Sequence, residues 1–496
     1  MIFVPLLMLG WRSNMQLRHS LLYLLAHGIP ALAAVLTLAL YTRWISPEAY
    51  GSYSTLLVVA NSANIILFNW LYVAIMRYWS DGEFKETDLS SIALVVLGIG
   101  SLLILGLALI YFVITGDAWV AASLAGLMIS NAVYTMYQRI NIVSLQAERY
   151  LLIELCRVLI TTSLALSLVW LGYSWQGILI ATSLGFLLVP LLSKQFWSYF
   201  WHYPNDLNYA KVLKLLKYGL PLSLTFMLLE VIHATDRVLL GWLVGLEVAG
   251  QYAVAFSLPF QLLILVGSAV NTAAYPLLLK TLEQQSEAVT RKKLANYFLI
   301  LLGLLLPCYF GLIAISHDFM PLLIGATYLH ESLRLLPSIG FLLVINVIYL
   351  FHTSLAFQIA KQIQKTVLIV GAAAILNVVL NLILIPYYQI DGAILASLVA
   401  YGVCVFYGQI MGAKYFKLPI PWFELAKLVL AAVLMVIALN TLPLNHGLVE
   451  GMLRILLGAA LYLGMIYLLD VGGIRVILVN FLKSLNKRNE NTNYQS

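Results

Sequence analysis

The chain has 496 residues, 62% hydrophobic and only 10% charged, with a mean hydropathy of +0.94. Soluble domains carry about 25% charged residues, so a soluble enzyme or binding module is excluded and a polytopic membrane protein is implied. The net charge of +7 is no nucleic-acid signal, because the basic residues sort by membrane side.

Residues 1–14 are apolar but too short to span, and they lack the basic leader and cleavage site of a signal peptide. Met15 begins MQLRHSLLYLL and looks like a natural start, so 1–14 reads as an upstream extension or an interfacial segment. Fourteen stretches then approach the roughly 20 apolar residues a span needs: about 21–43, 53–76, 91–115, 118–140, 151–172, 177–199, 218–243, 249–277, 294–316, 333–357, 366–386, 392–415, 424–442 and 449–470. The expected fold is an all-α integral membrane protein with two six-helix lobes, 21–199 and 218–415, around a central cavity. A cytoplasmic N-terminus (1–20), an amphipathic linker (200–217), two added helices (416–470) and a cytoplasmic tail (471–496) complete it. With the N-terminus inside, 23 of the 28 Lys and Arg fall at inner ends. The five others are Arg43, Arg157, Arg237, Arg334 and Arg454. That asymmetry sets the orientation, with both termini cytoplasmic, and part of it attracts anionic lipid.

The linker contains Lys211, Lys214 and Lys217 against Val212, Leu213, Leu215 and Leu216, the pattern of an interfacial helix. The seventh span follows, with Glu230, His233, Asp236 and Arg237 in an otherwise membrane-grade stretch. Each charge costs about 2.5–3.5 kcal/mol at a helix centre. At about 100° per residue the four share a sector of roughly 120°, so they should face a wet path or polar partners. A paired structural cluster is the plainer alternative.

The first and seventh spans also look like copies. Gly28-Ile29-Pro30 answers Gly219-Leu220-Pro221, and Glu48-Ala49-Tyr50-Gly51-Ser52-Tyr53 answers Glu247-Val248-Ala249-Gly250-Gln251-Tyr252. Six spans separate them, so the lobes should be related by an axis along the membrane normal.

Three stretches resemble the polysaccharide flippases of the multidrug/oligosaccharidyl-lipid/polysaccharide exporter superfamily: Arg43 to Tyr53; Asp236-Arg237-Val-Leu-Leu-Gly241 with Ala249-Gly-Gln-Tyr252; and Leu376 to Pro386 followed by Ile390 to Ser397. Where that pattern commonly has glycine, this chain has Gln389. The resemblance implies a bacterial inner-membrane carrier of undecaprenyl-diphosphate-linked glycans for O-antigen, capsule or exopolysaccharide, working beside polysaccharide polymerase machinery. Arg237 and His233, with Arg43, Arg77 and His27, would then attract the diphosphate and sugars. Glu230 and Asp236 would carry H⁺ or Na⁺. Glu154 and Arg157, three apart in the fifth span, form a pair.

Asn377 and Asn381 suit hydrogen bonds between helices, and Gly408-x-x-x-Gly412 suits close helix approach. Cys156, Cys308 and Cys404 lie in apolar runs and form no disulfide or ligand set. No nucleotide-binding loop, zinc motif or nucleophile elbow is present, so no cofactor is expected. A cation-coupled multidrug exporter, a peptidoglycan-precursor flippase and a membrane polymerase or glycosyltransferase remain as alternatives.

Overall fold

The computed structural model describes residues 32–79, 84–200, 209–284, 287–442 and 447–475. His27, the Gly28-Ile29-Pro30 turn, residues 1–20 and the tail beyond 475 lie outside them. Every regular element among the described residues is helical. Among the described residues twelve helices are long and apolar enough to cross a bilayer.

Helix starts and stops follow local chemistry. α1, Leu32–Trp44, is the described part of the first span. Ser46 then accepts a hydrogen bond from the Ala49 amide (3.3 Å), and Pro47 opens α2, Pro47–Tyr78. α3, Glu86–Thr115, stops at Gly116, whose φ of +72° needs glycine. Asp117 then caps α4, Ala118–Val143, through the Val120 amide at 3.0 Å. α5 is Ala147–Trp170, α6 Trp175–Leu192 and α7 Lys194–Phe200. The second half comprises α8, Tyr209–Leu243, α9, Leu246–Gln284, α10, Glu287–Ala314, and the short α11, Ser316–Leu323. α12, Ala326–Ile359, follows. It contains a π-helical turn at Tyr349–Thr353.

α13, Gln364–Gly412, has 49 residues, about 74 Å at 1.5 Å per residue, more than twice the hydrocarbon thickness. It breaks at Gln389, whose φ is +49° and ψ −120°. The sequence divides this stretch into two spans, and with α1 these are the two places where the expected fourteen and the observed twelve differ. Glutamine occupies a conformation that favours glycine, at a cost of about 1–3 kcal/mol. α14, Trp422–Thr441, and α15, Leu448–Leu468, complete the chain.

Two apolar cores form. One joins α2, α3, α4 and α6 around Phe68, Leu71 and Tyr137. The other joins α8, α9, α10, α12, α13, α14 and α15. The added helices α14 and α15 thus belong to the second half. Leu102, Leu107, Leu109, Val113 and Ile114 of α3 stay exposed, an outer wall suited to lipid. The described part of the 200–217 stretch, from Tyr209, is helical. From there it is continuous with the seventh span, because Pro221 falls inside α8 without ending it.

The halves meet along α2 and α8. Tyr78 and Tyr218 touch at the end rich in Lys and Arg, here the basic end, with ring centroids 5.6 Å apart. At the opposite end the two copies of the sequence repeat lie face to face. A Cβ on Gly51 would sit 1.8 Å from the Leu246 carbonyl oxygen, and one on Gly250 would sit 2.0 Å from that of Pro47. Two helix starts come this close only because both lack a side chain there. The same end is fastened by Tyr328, which donates to the Ile45 carbonyl at 2.9 Å, and by the Gly325 amide, which donates to the Thr42 hydroxyl at 2.9 Å. A third apolar cluster, built from both halves around Tyr41, Tyr50 and Tyr328, backs this seal.

Candidate functional site

α8 is wedged between the halves, with α2 on one flank and α13 on the other. Its four ionisable residues therefore do not meet one environment. Asp236, only 3% exposed, points into the second half. Its Oδ1 accepts from Asn381 Nδ2 at 2.8 Å, and its Oδ2 accepts from the Ser397 hydroxyl at 2.8 Å and the Tyr252 hydroxyl at 2.9 Å. Asn377 closes the ring: its Nδ2 donates to Ser397 Oγ at 3.0 Å and its Oδ1 accepts from Asn381 at 3.1 Å. All four partners are buried, and Asn381 Oδ1 has no hydrogen-bond partner.

Among the described residues no ion pair joins Asp236 to a cation. A lone buried carboxylate costs several kcal/mol even when hydrogen-bonded. A carboxylate with two amides and two hydroxyls around it has the composition of a hard-cation donor set, provided the amides turn their oxygens inward.

Glu230 faces the other way, accepting from the Ser62 hydroxyl of α2 at 3.2 Å. His233 Nε2 is 3.0 Å from the Tyr401 hydroxyl, and its ring lies against Phe256 and Phe260. Arg237 lies over the Phe256 ring, 5.2 Å from its centroid. Its buried Nε has no hydrogen-bond partner. Among the described residues Glu230 and Arg237 form no ion pair, because their side chains reach different neighbours.

The five arginines away from the basic end divide sharply. Arg43 donates to the carbonyls of Leu322 (2.6 Å) and Ala39 (2.5 Å) and, at 3.4 Å, of Pro321. Arg157 is held by Glu154, which also accepts from the Tyr134 hydroxyl. Arg334 grips Glu331 and Asp391, each at 2.9 Å. Arg454 forks onto Asp318 at 2.6 and 2.7 Å in a buried pair tying α15 to α11. Only Arg237 of the five has neither a carboxylate nor a carbonyl partner among the described residues.

Arg77 is exposed at the basic end. Beside it, Tyr78, Leu213, Lys214, Lys217 and Tyr218 line an open groove of about 440 Å³, with Lys211 held to Asp88 at 2.5 Å. Arg77 precedes Tyr78, whose ring Lys214 covers; Arg237 lies about six turns beyond Lys217 on α8.

Sequence reasoning missed Tyr252, Ser397 and Tyr401. A hydroxyl in an apolar helix carries little signal. The available clue was Asn377 and Asn381, one turn apart, which had to face a polar partner.

Residues 17–282, more than half of the chain, match the family described as polysaccharide biosynthesis protein. Comparison with curated proteins gives no match. Among solved structures the fold is similar to that of the lipid II flippase MurJ in an inward closed conformation, with TM-score 0.68 and 16% identity over 90% of this chain and 98% of that one. It is also similar to an inward-facing multidrug resistance MATE family transporter of the MOP superfamily, with TM-score 0.54 and 15% identity over 78% and 95%. An outward-facing MATE transporter gives 0.50 and 14% over 80% and 94%. At these identities the likeness is one of fold.

Proposed function

The chain belongs to the polysaccharide biosynthesis protein family, and from that premise we propose that it is a flippase for isoprenoid-diphosphate-linked oligosaccharides. In this reading it is a carrier and not an enzyme. It moves undecaprenyl-diphosphate-linked units from the cytoplasmic to the outer leaflet of a bacterial inner membrane, with both termini cytoplasmic and the polysaccharide polymerase machinery downstream. A diphosphate crossing about 30 Å of hydrocarbon needs a fixed cation. The observation that carries the reading is Arg237, whose guanidinium no carboxylate or carbonyl among the described residues takes and whose buried Nε has no hydrogen-bond partner. Its planar fork suits a phosphate pair.

The basic groove of Lys214 and Lys217, with Arg77 beside it, collects the headgroup at the cytoplasmic face. Asp236 holds the coupling ion, Na⁺ or H⁺. Asp236 and Arg237 are consecutive on α8, so loading one site biases the helix that carries the other. The halves then rock about the seam to alternate access.

The test is a cell carrying Arg237→Ala or Arg237→Lys, with lipid-linked glycan measured by mass spectrometry. Accumulation of the lipid-linked unit at least tenfold in the Ala variant, partly relieved in the Lys variant, is expected. Wild-type levels in both would remove the diphosphate role. Accumulation of no lipid-linked glycan in a full deletion would remove the substrate class and favour a drug-exporting reading.

A further inference from the structure

Beyond the Asp236 cage, the second half contains a line of buried polar groups that the cage does not use. Tyr401 lies one turn past Ser397 on α13, its hydroxyl 3.0 Å from His233 Nε2. Beside it on α12, Asn346 is fully buried, and neither amide atom makes a well-formed hydrogen bond. Further along α12, inside the π turn, His352 is also fully buried and stacks on Phe298 with centroids 3.8 Å apart. Its Nδ1 is 3.2 Å from Gln409 Nε2, while Nε2 has no partner. Cys404, fully buried, sits on α13 between Tyr401 and Gln409.

α12 and the second part of α13 run the same way. Arg334 meets Asp391 near their starts, and Gln409 meets His352 near their ends. From Asn346 to His352, and from Tyr401 to Gln409, the two helices descend together by about 9–12 Å toward the basic end. Each buried polar atom left unpaired costs about 1–3 kcal/mol, and an apolar pair at these positions would avoid that cost. Such π turns gather at functional sites.

Past Gln409 the helices close up. A Cβ on Gly408 would be 2.5 Å from Thr353 Cγ2, and one on Gly412 would be 2.9 Å from Ala356 Cβ. This is what the Gly408-x-x-x-Gly412 spacing does.

We infer that Tyr401, Asn346, His352 and Gln409 line a hydrated passage inside the second half, through which the ion held at Asp236 exchanges with the basic-end side. The contact of Gly408 and Gly412 with Thr353 and Ala356 is its gate. The inference rests on the reading of Asp236 as an ion site. Its ligands are water and a small monovalent cation, kept apart from the route of the lipid-linked sugar along α2 and α8.

Cys404 is a built-in reporter. In the full chain carrying C156S and C308S it is the sole thiol. Right-side-out and inverted membrane vesicles would be exposed to silver ion, a thiophilic monovalent cation. Protection of Cys404 from later alkylation in denaturant would be read by mass spectrometry. Protection from the cytoplasmic side only is expected. N346L and H352F, which replace the polar atoms by apolar ones, should slow it at least tenfold while leaving the ion-dependent thermal shift of the purified protein in place.

Cys404 unprotected from both faces, or protected equally fast in both variants, would overturn the passage. The ion site is judged separately. If D236N keeps the wild-type thermal response to both Na⁺ and pH, the Asp236 reading fails whatever Cys404 reports.

Discussion

Gly51→Ala would place a methyl carbon 1.8 Å from the Leu246 carbonyl oxygen, about 1.6 Å inside ordinary contact. The obstacle is backbone, so no rotamer change relieves it, and the starts of α2 and α9 must separate. Overpacking of this kind costs about 1–3 kcal/mol. The contact joins two halves and not two parts of one core. If the seal exists in only one state of an alternating carrier, the cost falls on that state alone. At about 1.4 kcal/mol per tenfold, a 2–3 kcal/mol penalty moves the balance about 30- to 140-fold toward the state with this end open. Spin labels at Trp44 and Leu322, read by pulsed electron resonance, should show a new long-distance population in Gly51→Ala and a further gain in Gly51→Ala/Gly250→Ala. A melting temperature that falls with no change in the distance distribution would mean the glycines serve packing only. No change in either measurement would mean the helix starts do not meet as described.

Asp236→Asn should abolish the ion-dependent rise in melting temperature without lowering stability in ion-free buffer, since it removes a lone buried charge; calorimetry with and without Na⁺ checks this. Gln389→Gly should stabilise by about 1 kcal/mol by relieving the positive-φ strain, seen as a melting temperature higher by a few degrees. Breaking the buried pair with Arg454→Ala should cost about 3–5 kcal/mol, whereas D318L/R454M together should cost much less; denaturation of both variants separates lost charge pairing from lost packing. Tyr252→Phe removes one donor to Asp236 and should weaken the ion response severalfold while leaving the protein folded.

Much of the architecture was legible because a bilayer imposes a simple grammar. Apolar runs set the spans, and the sorting of Lys and Arg set their order. The six-residue repeat pointed to paired halves, but nothing in it said that Gly51 and Gly250 would touch, since a contact between distant turns leaves no local pattern. The polar stripe on α8 was found, but its use was read too simply. A sector of 120° is wide enough for a helix between two bodies to offer Glu230 to one and Asp236 to the other. The linker lysines looked like a surface helix because they alternate with apolar residues, a pattern that does not show whether the helix runs on; it does, through Pro221, since a proline inside a membrane helix can be carried by its neighbours. Gln389 departed from the expected glycine, and the structure shows the consequence as backbone strain at the bend.

Arg43 fastens the first half to the second through main-chain carbonyls of Pro321 and Leu322. Every residue type offers the same carbonyl, so substitutions at 321 and 322 cannot retune this latch by changing its acceptors. Its whole adjustability lies in one arginine and in the register at which α11 presents its last turn. Sliding α11 by a single residue would carry those oxygens about 100° around the helix axis and release the latch as surely as deleting the side chain.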